Sequence, residues 1–360
     1  MSVNKRIRFS YIKRNLIFRF DAGTSRGILK TKVVYWIQAF EDHSPKIIGW
    51  GEAAPLVNLS VDDRPDFEIV LENQLKELEN ENWEMNEEVI LNQVSNLVPF
   101  ELPSIRFGVE TALLDLKNGG KKKILENDFI DEQKPMPING LIWMGDEDFM
   151  KKQIDEKLKE GFNCIKMKIG AIDFKKELEL LKYIRSKFSS NEITLRVDAN
   201  GAFSSGEASE KLESLQKFSL HSIEQPIAKG QIKEMKSLCS KTKLPIALDE
   251  ELIGVMKKGE LLDQIKPQFI ILKPSLLGGI KETREWISEA VSRGIGWWMT
   301  SALESNIGLN SICQLTSQYK PTLPQGLGTG KLFHNNLNSP LKVSKGQIQY
   351  DPKIIWEEPS

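Results

Sequence analysis

Two long runs rich in Ile, Val, Phe, Tyr and Trp, residues 5–20 and 28–41, open the chain and read as strands, because branched and aromatic side chains suit an extended backbone. The polar, glycine-containing segment 21–27 between them reads as an exposed loop. A third short run at 46–51 follows a turn at 43–45, so the three predict an antiparallel meander. Helical spacing takes over next. Residues 65–79 place Phe67, Val70, Leu71, Leu75 and Leu78 on one face. Residues 103–118 do the same with Ile105, Val109, Ala112, Leu113 and Leu116, starting at Pro103 and stopping at Gly119-Gly120. Strands and then helices, in blocks, predict a small α+β domain over 1–125, with the polar stretch 121–134 as its connection.

From residue 135 strand and helix patterns alternate strictly. The predicted strands are 136–143, 163–169, 193–198, 219–224, 244–249, 269–273 and 296–301, with a weaker eighth near 323–327. Amphipathic stretches such as 148–159, 175–187, 206–217 and 281–293 fill the gaps. Strands that each return through a helix must run parallel. Seven or eight such units over 135–325 fit a closed, TIM-like (β/α) barrel, and the fold class is α/β. An open doubly wound sheet is the runner-up, weakened because no Gly-x-Gly-x-x-Gly follows the first strand.

Interior parallel strands should be almost continuously apolar, yet here they end in charge. The C-terminal ends carry Lys166 and Lys168, then Asp198, Glu224, Asp249 and Lys273. In a barrel these ends converge on one mouth, where such folds keep their chemistry. Alternation puts Lys166 and Lys168 on one face, and Arg196, Asp198 and Asn200 on another shared face. Each residue alone has a plainer reading: Asp198 as a turn former or helix N-cap, Glu224 as a strand end before Gln225-Pro226, Lys168 as a strand cap. Turn chemistry does not require five strands in succession to end this way. Charges brought together in a partly enclosed space are costly unless a bound ion or substrate neutralises them.

Composition narrows that chemistry. The 360 residues carry 49 Lys and Arg against 50 Asp and Glu, a net charge of −1, which argues against a nucleic-acid binder and against a polyacidic disordered chain. Only three histidines occur, so proton transfer must rest on carboxylates and lysines. Cys164, Cys239 and Cys313 are scattered and form no CxxC pair, which reads as small buried hydrophobes rather than disulfides or a zinc site. The first fifteen residues lack the apolar run of a signal peptide, and apolar stretches such as 269–272 are far too short to span a membrane. A cytoplasmic setting with no membrane partner is expected, and a homo-oligomer is left open.

Three carboxylates from neighbouring strands, without histidine or cysteine, make an all-oxygen site suited to Mg²⁺ rather than Zn²⁺. A metal there would stabilise the enediolate formed when a proton leaves the carbon beside a substrate carboxylate. Lysine serves as the base only if its pKa falls well below about 10.4, which a neighbouring ammonium promotes. Lys166, on the same face, is that neighbour for Lys168, and Lys273 arrives from across the mouth.

The motifs KMK (166–168), RVDAN (196–200), IEQP (223–226), ALDE (247–250) and ILKP (271–274), in this order and spacing, resemble the enolase superfamily, in its muconate cycloisomerase-like subgroup. The handling of lysine bases alongside Mg²⁺ is characteristic of that superfamily. The resemblance covers nearly the whole chain. It implies an α+β capping domain over 1–125 with a lid loop at 21–27, a (β/α)7β barrel over 135–325, and a segment, 326–360, that returns to the cap. It implies Asp198, Glu224 and Asp249 as Mg²⁺ ligands, Lys168 and Lys273 as catalytic residues flanking the substrate, and Lys166 tuning Lys168 and touching the substrate carboxylate. Asn200 and Arg196 would support the site from the substrate side. No histidine near the sixth and seventh strands means the mandelate racemase-like arrangement is absent.

Residues 300–315 and 324–330 are similar to the o-succinylbenzoate synthase family of this subgroup. Dipeptide epimerases usually carry an Asp-x-Asp pair on the eighth strand, whereas 325–330 here is glycine-rich and uncharged, which suits a small anionic carboxylate. The implied reaction is the Mg²⁺-dependent syn-dehydration of 2-succinyl-6-hydroxy-2,4-cyclohexadiene-1-carboxylate, a hydro-lyase step of menaquinone biosynthesis. N-acylamino acid racemase, dipeptide epimerase and muconate cycloisomerase activities are the alternatives within the subgroup. Ser25 and Arg26 in the lid, Ser301 after the seventh strand and Gly328 on the eighth are the further substrate-side candidates. The lid reads equally well as an ordinary hairpin loop, and Glu304 either faces substrate or serves a helix N-terminus. A Schiff-base aldolase barrel would need a strand-end lysine but no carboxylate triad, and a catalytically dead scaffold would lack ligands or bases that are all present.

Overall fold

The computed structural model describes residues 5–24 and 27–359. Three long strands, β1 (Lys5–Thr24), β2 (Gly27–Glu41) and β3 (Ser44–Ala53), pair antiparallel as the meander pattern predicts. A two-residue β4 (Asn82–Trp83) adds to the far edge of β1, giving the order β3-β2-β1-β4. Helices α1 (Phe67–Leu78) and α3 (Pro103–Lys117) lie on this sheet, and α2 (Glu87–Leu97) packs on α3. The pattern anticipated α1 and α3 but not α2, whose apolar face is only Ile90, Leu91 and Val94. Its start is instead set locally, by the Asn86 side chain accepting from the Glu88 and Val89 amides. The connection also holds one helical turn, α4 (Asp128–Asp131), capped in the same way by Asn127.

Helix α3 lies directly on β3, and glycines make that approach possible. A Cβ on Gly51 would sit 1.9 Å from the Gly108 carbonyl oxygen and 2.6 Å from Thr111 Oγ1. Both are held by the helix, so neither can yield cheaply. Gly51→Ala is expected to destabilise the fold by about 1–3 kcal/mol through overpacking. Thermal unfolding checks this, and an unchanged Tm would mean that α3 can slide on the sheet.

The barrel strands are β6 (Gly140–Ile142), β7 (Cys164–Lys168), β8 (Thr194–Asp198), β9 (Ser222–Glu224), β10 (Ile246–Leu248), β11 (Phe269–Leu272) and β12 (Gly296–Met299), all parallel and in sequence order. Helices α5 (Glu147–Lys159), α6 (Phe174–Lys187), α7 (Ala208–Gln216), α8 (Ile232–Lys241), α9 (Lys258–Ile265), α10 (Pro274–Leu277), α11 (Ile280–Ser292) and α12 (Asn306–Ser317) lie between and after them. The weak eighth pattern forms no extended strand. It closes the wall through two parallel bridges, Ile138 with Gln325 and Thr300 with Gly326.

The predicted strand 136–143 is split. Its first part, β5 (Met136–Pro137), pairs with a C-terminal hairpin, β13 (Leu341–Ser344) and β14 (Gln347–Tyr350), and only its second part enters the barrel. Before that hairpin the chain touches the cap: Arg19 N donates to Leu332 O at 2.9 Å and His334 N to Ile17 O at 2.8 Å. Cap and barrel share one apolar core and a buried ionic cluster, in which Arg106 of α3 and Lys258 both meet Glu282. All three cysteines are buried and free, and among the described residues no helix is long and apolar enough to cross a membrane.

Candidate active site

Register brings the charged strand ends to one end of the barrel. Lys168 pairs with Asp198 across β7 and β8, Asp198 with Glu224 across β8 and β9, and Glu224 with Ala247, two residues before Asp249. Because side chains alternate, Lys166 and Lys168 both point inward while Ile165, Met167 and Ile169 pack outward at near-zero exposure. Lys166 Nζ donates to both Glu224 oxygens, at 2.8 and 2.7 Å, and lies 2.9 Å from Asp198 Oδ2. Lys168 Nζ donates to Asn200 Oδ1 at 2.6 Å and lies 3.5 Å from Asp198. Lys273 pairs directly with Asp249. Asn200, in the left-handed region at a φ of 44°, also donates to Glu250 Oε1 at 3.0 Å.

The three ammonium groups differ sharply in electrostatics. Burial is the largest influence on Lys168 and lowers its pKa; the charges of Lys166 and Lys273 push the same way, against Asp198 and Glu224. Burial also opposes the charge on Lys166, but Asp198, Glu224 and Asp249 outweigh it and hold that ammonium protonated. Lys273 is likewise kept above its ordinary range, with Asp249 and Glu250 overcoming its burial. Asp198 is held ionised, since Lys166 and Lys168 together overcome its burial. Glu224 moves upward, because burial and the neighbouring Asp198 charge exceed the pull of Lys166. One lysine is thus biased toward the neutral amine between two that stay charged. Lys168 is 9% exposed, so it is buried at the base of the mouth rather than facing bulk solvent as a strand end would suggest.

A cavity of about 630 Å³ opens at this end of the barrel. Lys166, Lys168, Asp198, Asn200 and Lys273 form its polar floor, and Phe20, Leu56 and Trp143 are among its apolar walls. The Trp143 ring lies 6.0 Å from Lys168 Nζ. Neither Trp143 nor the Leu56–Asn58 turn stood out in the sequence, since an aromatic at a strand end and a turn after Pro55 have many uses.

Of the other substrate-side candidates, Ser301 and Gly328 line the cavity, and Ser25 and Arg26 lie outside the described residues. Arg196 corrects the expectation. It shares the inward face of β8 but sits one layer below Asp198, stacked 3.9 Å from the Trp298 ring centre and donating to Pro324 O at 2.7 Å. There it fills the barrel interior and does not line the cavity. Its partner also places Trp298 inside the barrel, while Trp297 packs outward on Tyr319. Glu304 does not face substrate either: it is fully buried behind Ser301. Lys32, on the same face of β2 as Val34 and Trp36, is buried and donates to Ala54 O at 3.1 Å and Ala302 O at 2.7 Å, tying the cap to the barrel mouth.

The donor set fits a hard divalent cation. Asp198, Glu224 and Asp249 supply oxygen only, and the Lys166 ammonium already bridges Asp198 and Glu224, a cation where a cation is favoured. Among the described residues the three carboxylates are not gathered on one point, because Lys166 and Lys273 hold them as ion pairs.

Residues 150–353 match the Enolase C-terminal domain-like family. The chain is 45% identical to the o-succinylbenzoate synthase of Desulfotalea psychrophila, with 95% of this chain and 98% of that protein covered. The crystal structure of MenC from the same organism superposes with a TM-score of 0.85 at 41% identity, covering 95% of this chain and 99% of that one. A dipeptide epimerase from Cytophaga hutchinsonii, solved with Mg and the dipeptide D-Ala-L-Val, shares the fold at a TM-score of 0.84 and 19% identity, covering 99% and 97%.

Proposed function

The chain belongs to the Enolase C-terminal domain-like family of the enolase superfamily, and on that premise we propose that it is a hydro-lyase with the o-succinylbenzoate synthase reaction. It dehydrates 2-succinyl-6-hydroxy-2,4-cyclohexadiene-1-carboxylate to 2-succinylbenzoate, a step of menaquinone biosynthesis. The observation that carries this reading is the pair Lys168 and Lys273 on one cavity floor, one biased toward the amine and the other held as an ammonium.

Asp198, Glu224 and Asp249 would hold Mg²⁺, which when bound draws electron density from the substrate carboxylate and acidifies the neighbouring C–H. Lys168, as the neutral amine, removes that proton. The ammonium it becomes keeps its hydrogen bond to Asn200 and then gives its proton to the leaving hydroxyl on the same face. Lys273 stays protonated and places positive charge beside the electron-rich carboxylate. Lys166 favours the amine form of Lys168 through its own charge. Formation of an aromatic ring makes the elimination downhill, so little more is needed.

Racemisation, dipeptide epimerisation and cycloisomerisation would draw on the same lysines. The uncharged wall at Gly326 and Gly328 favours the dehydration, because it offers no carboxylate to a substrate ammonium. The substrate is a small anionic carboxylate, and the enzyme works in the cytoplasm without a nucleic-acid or membrane partner. Turnover of the cyclohexadiene substrate with and without Mg²⁺ tests the proposal. Aromatic product should form with the metal, stop on chelation and resume when Mg²⁺ is restored. No product at saturating Mg²⁺ would remove this reading in favour of its subgroup alternatives.

A further inference from the structure

The wall beside Ser301 has a fixed hydrogen-bond polarity. Glu304, fully buried, accepts from Ser275 Oγ, from Ser301 Oγ at 2.6 Å and from Ala302 N at 2.8 Å. A carboxylate only accepts, so the single hydroxyl hydrogen of Ser301 is committed to it. Ser301 Oγ in turn accepts from Leu303 N at 3.0 Å and from Thr329 Oγ1 at 2.9 Å. Its donor and both lone pairs are therefore used within the protein, and nothing remains for a substrate. The hydrogen of Thr329 is committed as well, because Ser301 has none left to give. Thr329 lines the cavity, and among the described residues no group donates to its oxygen. What it presents to a ligand is lone pairs alone.

An acceptor-only group in a cavity floored by three lysines does not suit a carboxylate or a ketone. It suits an O–H. The proposed substrate, a dianion with one ketone, has a single O–H donor, and that is the hydroxyl that leaves. We propose that Thr329, and not Ser301, contacts the substrate, accepting a hydrogen bond from the leaving hydroxyl, while Glu304 and Ser301 are positioning residues that orient it. This inference rests on the dehydration reading above.

The contact bears on the step itself. With its own hydrogen held by Thr329, the hydroxyl oxygen can turn a lone pair toward the Lys168 ammonium. The C–O bond breaks with its electron pair going to oxygen, Lys168 gives up one proton and returns to the amine, and water leaves. As the oxygen gains that proton it becomes a stronger donor, so the bond to Thr329 tightens toward the transition state, where tightening accelerates reaction.

The test compares the wild-type chain, Thr329→Val and Thr329→Ser in full steady-state kinetics with Mg²⁺, together with inhibition by 2-succinylbenzoate, a product that has lost the hydroxyl. Thr329→Val should lower kcat/KM about tenfold, the scale of one hydrogen bond, mainly through kcat. The product inhibition constant should stay within about twofold, and Thr329→Ser, which keeps the oxygen, should recover most of the rate. Wild-type kinetics in the valine variant overturn the proposal. So does product affinity falling in parallel, which would mark a collapsed wall, or a serine variant as slow as the valine one. A wild-type chain that makes no product overturns the dehydration reading itself, and this proposal with it.

Discussion

Replacing Lys168 with alanine is expected to lower dehydration by about 10²- to 10⁴-fold, the range general acid–base groups contribute, and toward its upper end because one residue serves both proton transfers. The fold should survive. Asp198 keeps its 2.9 Å contact with Lys166, and Asn200 keeps its bond to Glu250, so no carboxylate is left buried without a partner. Circular dichroism and thermal unfolding establish the fold, and a stopped assay of aromatic product reads the rate. A variant that retains a tenth of the wild-type turnover would remove Lys168 as the base. The wild-type pH–rate profile carries the same information. With Lys168 as the proposed base, the reactive form is the neutral amine, and activity should rise with pH as Lys168 loses its proton. Since burial and two neighbouring ammonium groups lower its pKa, that limb should lie below the ordinary lysine value of about 10.4.

Asp249→Asn is expected to raise the Mg²⁺ concentration needed for half-maximal activity by about tenfold or more, given that even residues outside the coordination shell are worth 10- to 100-fold. The amide keeps the size of the side chain and removes its charge. Lys273 then loses the charge of its direct partner, although Glu250 still favours its protonated form. Two titrations separate these effects: activity against Mg²⁺, and metal uptake by equilibrium dialysis without substrate. Both should move together. An unchanged uptake curve would take Asp249 out of the ligand set and leave only its pairing with Lys273.

Much of the site was legible because its signal is a violation. Parallel strands should be apolar, and charge at Lys168, Asp198, Glu224, Asp249 and Lys273 breaks that rule at a recurring interval. The alternation that packs Ile165 and Met167 outward also places the lysines inward. Arg196 shows the limit of the same rule. Periodicity gives the face of a strand but not the partners met there: Arg196 packs against Trp298 inside the barrel, while its register partner Lys166 reaches the cavity floor. Helix α2 escaped because its apolar stripe is short and its start depends on one Asn86 hydrogen-bond pattern.

Sequence by itself determined the barrel period, the cap of strands followed by helices, and the chemical types available: carboxylates and lysines, with almost no histidine. These are local or periodic properties, carried by residues a few positions apart. Tertiary structure alone decided what sets the two lysines of β7 apart. Lys166 and Lys168 are two residues apart, share an intrinsic pKa and are both buried; Asp198, Glu224 and Asp249 outweigh burial around the first, whereas around the second burial, reinforced by the charges of Lys166 and Lys273, prevails. It also decided the direction of the hydroxyl chain from Thr329 through Ser301 to Glu304, because donor and acceptor roles depend on neighbours brought in from different strands.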